Sequence, residues 1–359
     1  MNLLQLRDML GRFPAAVCGG ILLLQTVSCI PPEVLAGYED GMEAYRKAWA
    51  AYATQRYEEA RRLTRAAIQA DPGNPHAHAL AGDLAYLAHE LDGAKKAWRE
   101  ALALEPRLRA MTERLAQLDR EQALEAGQAA LTTELFVIRV PADASIETTW
   151  VLQELQAAQA FLETQLQCRL QGPLTVLIYD PVTFYNGFHV PTAVAGLFDG
   201  KIRLPAPPQY VGGAQAVIWH ELTHAAVHQL SHGHATRWLH EGVAQAVEAR
   251  VATIPTESLR MALRRDAAPS LAQLEGRSAE FGQAVPMEAG VFYQASWARV
   301  QYVVDHQGWA GLRRFLDAVG AGASTTEALV RVTRLAEAAW DRQWRRWAQE
   351  RFEGLTGKE

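Results

Sequence analysis

The chain is poor in cysteine, in net charge and in long apolar runs, and each shortage closes off a class of protein. Of 359 residues only three are cysteine (Cys18, Cys29, Cys168), and no two form a C-x-x-C pair. They cannot build a disulfide framework or a cysteine zinc cluster, so any metal must be held by histidine and carboxylate. A formal net charge of -5 gives no broad attraction to nucleic acid, and we expect no nucleic-acid partner. The apolar stretch at residues 13–28 is shorter than the roughly 20 residues of helix that span a bilayer, and Pro14, Gly19, Gly20 and Gln25 interrupt it. With 49% hydrophobic and 21% charged residues, the chain is neither a polytopic membrane protein nor a disordered polymer. Its length suits two globular domains.

Residues 1–12 carry Arg7 and Arg12 against Asp8, and the nearly uncharged stretch follows them. That is the layout of an export signal, so we expect residues 1–28 to be a signal peptide and the mature chain to act in the cell envelope. The run Leu24-Gln25-Thr26-Val27-Ser28-Cys29 resembles a bacterial lipoprotein signal, in which a small residue precedes a cysteine acylated after cleavage. Ser28 and Cys29 fit; Thr26 stands where leucine is usual, and a conventional cut after Ala36 is the alternative. Acylation of Cys29 implies a periplasmic or outer-membrane lipoprotein anchored to the membrane by lipid. Cys168 then remains as a single thiol, tolerable only if buried.

Residues 38–130 are rich in Ala, Leu, Glu, Arg and Gln and hold no strand-like alternation, so we expect helices throughout. Shifted by 34 residues, the segment matches itself. Pro72 falls on Pro106, Ala67 on Ala101, Ala60 on Ala94, Tyr52 on Tyr86, Ala51 on Ala85 and Ala48 on Gly82. Small residues recur where two helices must approach closely, and an acidic residue followed by proline closes each second helix. The period and residue types resemble the tetratricopeptide repeat, with residues 107–130 as a capping helix. The resemblance implies a surface for a protein partner or peptide.

From residue 133 the pattern changes. TELFVIRV (133–140) alternates as a strand, 145–169 reads as an amphipathic helix, and PLTVLIYD (173–180) as a second strand. Residues 193–205 read as a hairpin turning at Asp199-Gly200, and helices follow to the end. Strands first and helices afterward make an α+β domain over 133–355, a small β-sheet beside a helical body.

Six of the eleven histidines lie between 220 and 240. Among them His220-Glu221-Leu222-Thr223-His224 is an H-E-x-x-H motif in an apolar helical context. Its spacing of four puts both imidazoles on one helix face, where their nitrogens can converge on one Zn²⁺, and Glu221 can take a proton from water as general base. A catalytic zinc needs a third protein ligand. Glu241, 17 residues after His224 in Trp238-Leu239-His240-Glu241-Gly242, follows a glycine-containing loop that lets a second helix run back past the first. His232 and His234 in that loop are alternatives. His228 lies about 6 Å beyond His224 along the helix axis, too far to share its metal without distortion.

The two motifs together resemble the gluzincin metallopeptidases, and the W-L-x-E-G form is similar to the peptidase-MA-like subgroup, often joined to tetratricopeptide repeats. The resemblance covers about residues 133–350 in architecture, with its specific residues confined to 217–248. It implies a mostly helical zincin-like fold with zinc as cofactor, His220, His224 and Glu241 as metal ligands, and a peptide or protein substrate. Where thermolysin-like relatives carry an aspartate four residues after the ligand glutamate to orient a zinc histidine, this chain has Gln245. Tyr293 matches a polar residue often found near the oxyanion in this family, and His189 and His240 are alternative donors. No G-x-M-E-N exopeptidase run occurs. The reading is a zinc metallopeptidase; the rival is a protein-assembly scaffold with a vestigial metal site. Trp340, Trp344 and Trp347 fall at i, i+4 and i+7, a packed helix face rather than a ligand surface.

Overall fold

A computed structural model describes residues 32–53, 57–141, 148–188, 190–192, 194–206, 211–277 and 286–353. Ser28 and Cys29 of the lipoprotein signal, and His189, lie outside them. The chain divides into two compact units at Ala123/Leu124.

The first unit contains the helices α1 (Pro32–Ala53), α2 (Tyr57–Ala70), α3 (Pro75–Leu87) and α4 (Leu91–Leu104), and the greater part of α5 (Arg109–Glu125). α1 packs on α2 and α3 on α4. The recurring small residues Ala48, Ala51, Ala60, Ala67, Ala94 and Ala101 are all fully buried. Gly82 is small for a specific reason: a Cβ there would stand 2.2 Å from the Trp98 indole. That indole donates to Asp83 at 2.9 Å, and Arg114 pairs with the same carboxylate. Asn74 caps α3 by accepting from the backbone N–H groups of His76 and Ala77, and Pro75 sits at the first helical position.

The second unit opens with the strands β1 (Gln128–Thr132) and β2 (Phe136–Pro141), followed by α6 (Thr148–Leu166), β3 (Leu174–Tyr179), α7 (Pro181–Gly187), β4 (Leu197–Phe198) and β5 (Ile202–Pro205). The strands form a mixed sheet in the order β1-β2-β3-β5-β4, with β2, β3 and β5 parallel and an antiparallel strand at each edge. The expectation of helix to residue 130 and one strand over 133–140 is corrected: β1 starts at 128 and a turn at 133–135 separates it from β2. β1 alternates weakly in burial, so its strand state comes from the ladder with β2 and not from a period in its own residues. Gly200, at φ 95°, turns the chain between β4 and β5.

One face of the sheet, with Ile138, Val176, Ile178 and Ile202, joins the main core; the other, with Leu177 and Tyr179, is covered by Phe184 of α7. The rest is helical: α8 (Val211–Leu230), α9 (Arg237–Glu248), α10 (Glu257–Arg264), α11 (Leu271–Arg277), α12 (Pro286–Gly320, kinked at Gly308), α13 (Thr325–Thr333) and α14 (Glu337–Glu353). The fold is therefore α+β, a helical body with a small sheet. Trp340 and Trp344 are buried, and the buried Arg299 guanidinium lies 3.7 Å from the Trp344 ring centroid while pairing with Asp341. Cys168 is buried.

Candidate active site

The site is built on two helices that a tight loop folds against each other. α8 buries Ile218, Leu222, Ala226 and Val227 in the core, which leaves His220, His224 and His228 along its other side. Trp219 and Gln215 donate to Glu154 of α6 at 3.2 and 2.8 Å, holding α8 in place. After Leu230 the chain reverses through His232 (φ 49°) and Gly233 (φ 74°). α9 then runs back with Trp238, Leu239, Val243 and Val247 buried. Gly242 marks its closest approach to α12: a Cβ would lie 2.5 Å from the Ser296 carbonyl oxygen and 2.7 Å from Val300. The glycine after Glu241 is thus a packing requirement.

This packing aims Glu241 at the two motif histidines. Its Oε2 lies 3.4 Å from His220 Nε2 and 3.9 Å from His224 Nε2, and the two imidazole rings are 4.8 Å apart, nearly perpendicular. Donor atoms of His220, Glu221 and His224 lie within 4.8 Å of one another. Glu221 is buried, its carboxyl packed against the backbone just before β4: a Cβ on Gly196 would stand 2.6 Å from Glu221 Oε1.

Three residues that the sequence reading did not assign complete the surroundings. Glu248 Oε2 lies 2.8 Å from His220 Nδ1, so a carboxylate does orient this imidazole, but from seven residues after Glu241 instead of four. Gln245, the position weighed for that role, donates to the Tyr293 carbonyl at 3.3 Å. The i, i+7 spacing of Glu241 and Glu248 was the available signal, two turns along one helix face. The second residue is Gly196. The third, Arg237, places Nε 3.7 Å from Glu241 Oε1 and Nη2 3.4 Å from the Tyr293 hydroxyl.

Charge in this cluster is strongly perturbed. Burial pushes Glu221 up to about 7, the nearby His220 opposing it and Glu241 and Glu248 adding to it. Burial works against a charged His220, yet the carboxylates of Glu241 and Glu248 outweigh it and raise the imidazole to about 10. His224 is held well below its ordinary value by burial and by the charge of His220. The two carboxylates thus favour positive charge on His220, and burial beside it disfavours charge on His224. Tyr293 is kept a phenol by burial and the charge of Glu241.

The other histidines sort themselves by position. His232 and His234 are exposed in the loop beyond the end of α8. The rings of His240 and His228 lie 5.6 Å from His224 and 6.3 Å from His240 respectively. Burial keeps both neutral, with His240 pushed down to about 4.

A helix bearing H-E-x-x-H, a returning helix that brings a glutamate to both histidines, and a small sheet whose edge passes the motif glutamate are the features of a metallopeptidase-like protein. The sequence model of the Peptidase MA superfamily matches residues 156–350, more than half of the chain, and the protein belongs to that superfamily. Membership carries a peptidase-like activity, and members are typically zinc-dependent. No curated protein matches the chain.

Proposed function

We propose that the protein is a zinc-dependent peptide-bond hydrolase of the bacterial cell envelope, with His220, His224 and Glu241 as metal ligands and Glu221 as general base. The observation that carries this reading is the placement of Glu241 Oε2 against both imidazole Nε2 atoms, at 3.4 and 3.9 Å. Two N or O donors each about 2.0–2.2 Å from zinc at a tetrahedral angle are about 3.3–3.6 Å apart, so Glu241 Oε2 already stands at that spacing from His220 Nε2 and close to it from His224 Nε2. The Glu248 contact to His220 Nδ1 supports the same reading, because a ligating histidine almost always gives its other ring N–H to an acceptor.

Bound zinc supplies Lewis acidity to a scissile carbonyl and to attacking water. Glu221, buried with its carboxyl beside the two histidines, takes a proton from that water and passes it to the leaving amine. Tyr293, held as a phenol, donates to the developing oxyanion. β4 is an edge strand, and among the described residues no strand pairs with its outer side. An extended peptide added there would pass Gly196 and Glu221, read mainly through its backbone.

Glu221→Gln tests the enzyme against the scaffold. It should leave zinc near one per chain while casein hydrolysis falls by about 10² to 10⁴, the usual cost of removing a general base. Equal hydrolysis in both proteins excludes the mechanism; a zinc-loaded wild type that cleaves nothing favours the scaffold.

The buried small residues and the 34-residue period support tetratricopeptide-type repeats in the first unit, which would recruit a substrate or partner protein. Ser28-Cys29 supports acylation as the membrane anchor. Cys29→Ala should then move the protein from the membrane fraction to the soluble one, and a cleaved variant still bound to membrane refutes the anchor.

A further inference from the structure

The two oxygens of Glu241 do different things. Oε2 faces His220 and His224, whereas Oε1 faces Arg237, 3.7 Å from its Nε. Arg237 stands one turn before Glu241 on α9, so the two share a face. The far end of the same guanidinium reaches α12, where Nη2 lies 3.4 Å from the Tyr293 hydroxyl. One planar cation thus touches both the carboxylate nearest the histidines and the phenol beside it.

We propose that Arg237 is a positioning residue that keeps Glu241 a one-oxygen ligand and aims the Tyr293 hydroxyl. The inference rests on the zinc reading above. A carboxylate can give a metal one oxygen or two, and a second oxygen would raise the coordination number and crowd the position a catalytic zinc keeps for water. With Oε1 engaged by a guanidinium, two-oxygen binding would have to break that contact. At the phenol, a guanidinium has only N–H groups to offer, so the Tyr293 oxygen accepts there. Its own O–H proton is then directed to a different acceptor, which in the reaction is the oxyanion. Lysine cannot substitute fully. It carries the charge at a single point, while the two contacts here use two nitrogens of one rigid fork.

The geometry of the site supports a role beyond packing. The Arg237 side chain is 36% exposed, so it is not core filling, and the α9–α12 separation is set independently by Gly242 against Ser296 and Val300. Removing the guanidinium should therefore leave the helices in place and change only how Glu241 and Tyr293 point.

The test compares full-length wild type, Arg237→Met, Arg237→Lys, Tyr293→Phe and Arg237→Met/Tyr293→Phe. It measures zinc affinity by chelator competition, the visible spectrum of the Co²⁺-substituted proteins, and kcat and KM on one peptide. For Arg237→Met we expect kcat to fall by about 10- to 100-fold, the range for losing an outer partner of a ligand, with KM changed far less. Its cobalt absorption should weaken as the second carboxylate oxygen enters and the coordination number rises. Arg237→Lys should recover part of kcat and little of the spectrum. Adding Tyr293→Phe to Arg237→Met should cost less than it does in wild type, because the phenol is already misdirected. A wild-type cobalt spectrum and unchanged kcat in Arg237→Met overturn the proposal, as does full recovery of both by lysine. If wild type takes up neither zinc nor cobalt, the zinc reading itself fails and this proposal with it. Normal metal uptake with an unaltered Arg237→Met spectrum sinks the positioning role alone.

Discussion

In the amino-terminal unit the fully buried described positions are, Leu118 apart, alanines from Ala48 to Ala101, while in the carboxy-terminal unit Lys201, Arg203, Glu221, Thr223 and Arg299 are buried just as completely or nearly so. Among the polar groups that the first unit buries, Asn74 caps α3, Asp83 pairs with Trp98 and Arg114, and Glu121 accepts from Tyr86 and Gln117. The second unit instead crowds three carboxylates around two imidazoles, and His220 and Glu221 are both pushed far from their ordinary protonation. Taking charge out of water costs free energy unless something compensates. The second unit concentrates that cost around two histidines, so damage to the two units should read out differently: as lost stability in the first, and as lost metal and chemistry in the second.

The largest separation is expected from Glu241→Ala. It removes a carboxylate that faces both histidines, so zinc affinity should fall by more than the roughly 10- to 100-fold typical of an outer partner, and hydrolysis should fall with it. Chelator competition measures the first quantity. Zinc retained at wild-type affinity would break the comparison at its strongest point and move the third ligand elsewhere.

Glu248→Ala sharpens the contrast within α9. Loss of its contact to His220 Nδ1 should weaken zinc binding by about 10- to 100-fold, whereas Gln245→Ala, which removes only a bond to a backbone carbonyl, should leave affinity near wild type. The reverse order in a chelator titration would restore the orienting role to residue 245.

The smallest effect belongs to the first unit. Gly82→Ala places a methyl group 2.2 Å from the Trp98 indole, and overpacking of this kind typically costs about 1–3 kcal/mol. Urea unfolding should register the loss while zinc content and hydrolysis stay unchanged. Unaltered stability, or an altered zinc content, would mean that the two units are not as separate in role as their interiors suggest.

How much of this was legible beforehand depended on range in sequence. His220 and His224 share a helix face because the spacing of four is a property of the helix itself, and Gly82 was marked as a small position by the 34-residue repeat that lays it on Ala48, although its reason is Trp98 on the next helix. β1 was not legible, since QAALT has no period of its own and became a strand only by pairing with β2. Nor was Gly196, whose smallness is required by a side chain 25 residues later in the chain.

The amino-acid sequence by itself determined the helical amino-terminal segment, the α+β order of the second unit, and the placement of two imidazoles and a glutamate on one turn of α8. These are consequences of short-range backbone sterics and of the period with which apolar residues recur. Only the tertiary structure decided that Glu248, 28 residues from His220, would hold its Nδ1, that Gln245 would turn instead to Tyr293, and that Arg237 would stand between Glu241 and the phenol. Those pairings follow from the reversal at His232-Gly233 and the close crossing at Gly242, which set how α9 lies against α8 and α12. A one-residue change in that docking would turn each of these side chains by about 100° around its helix.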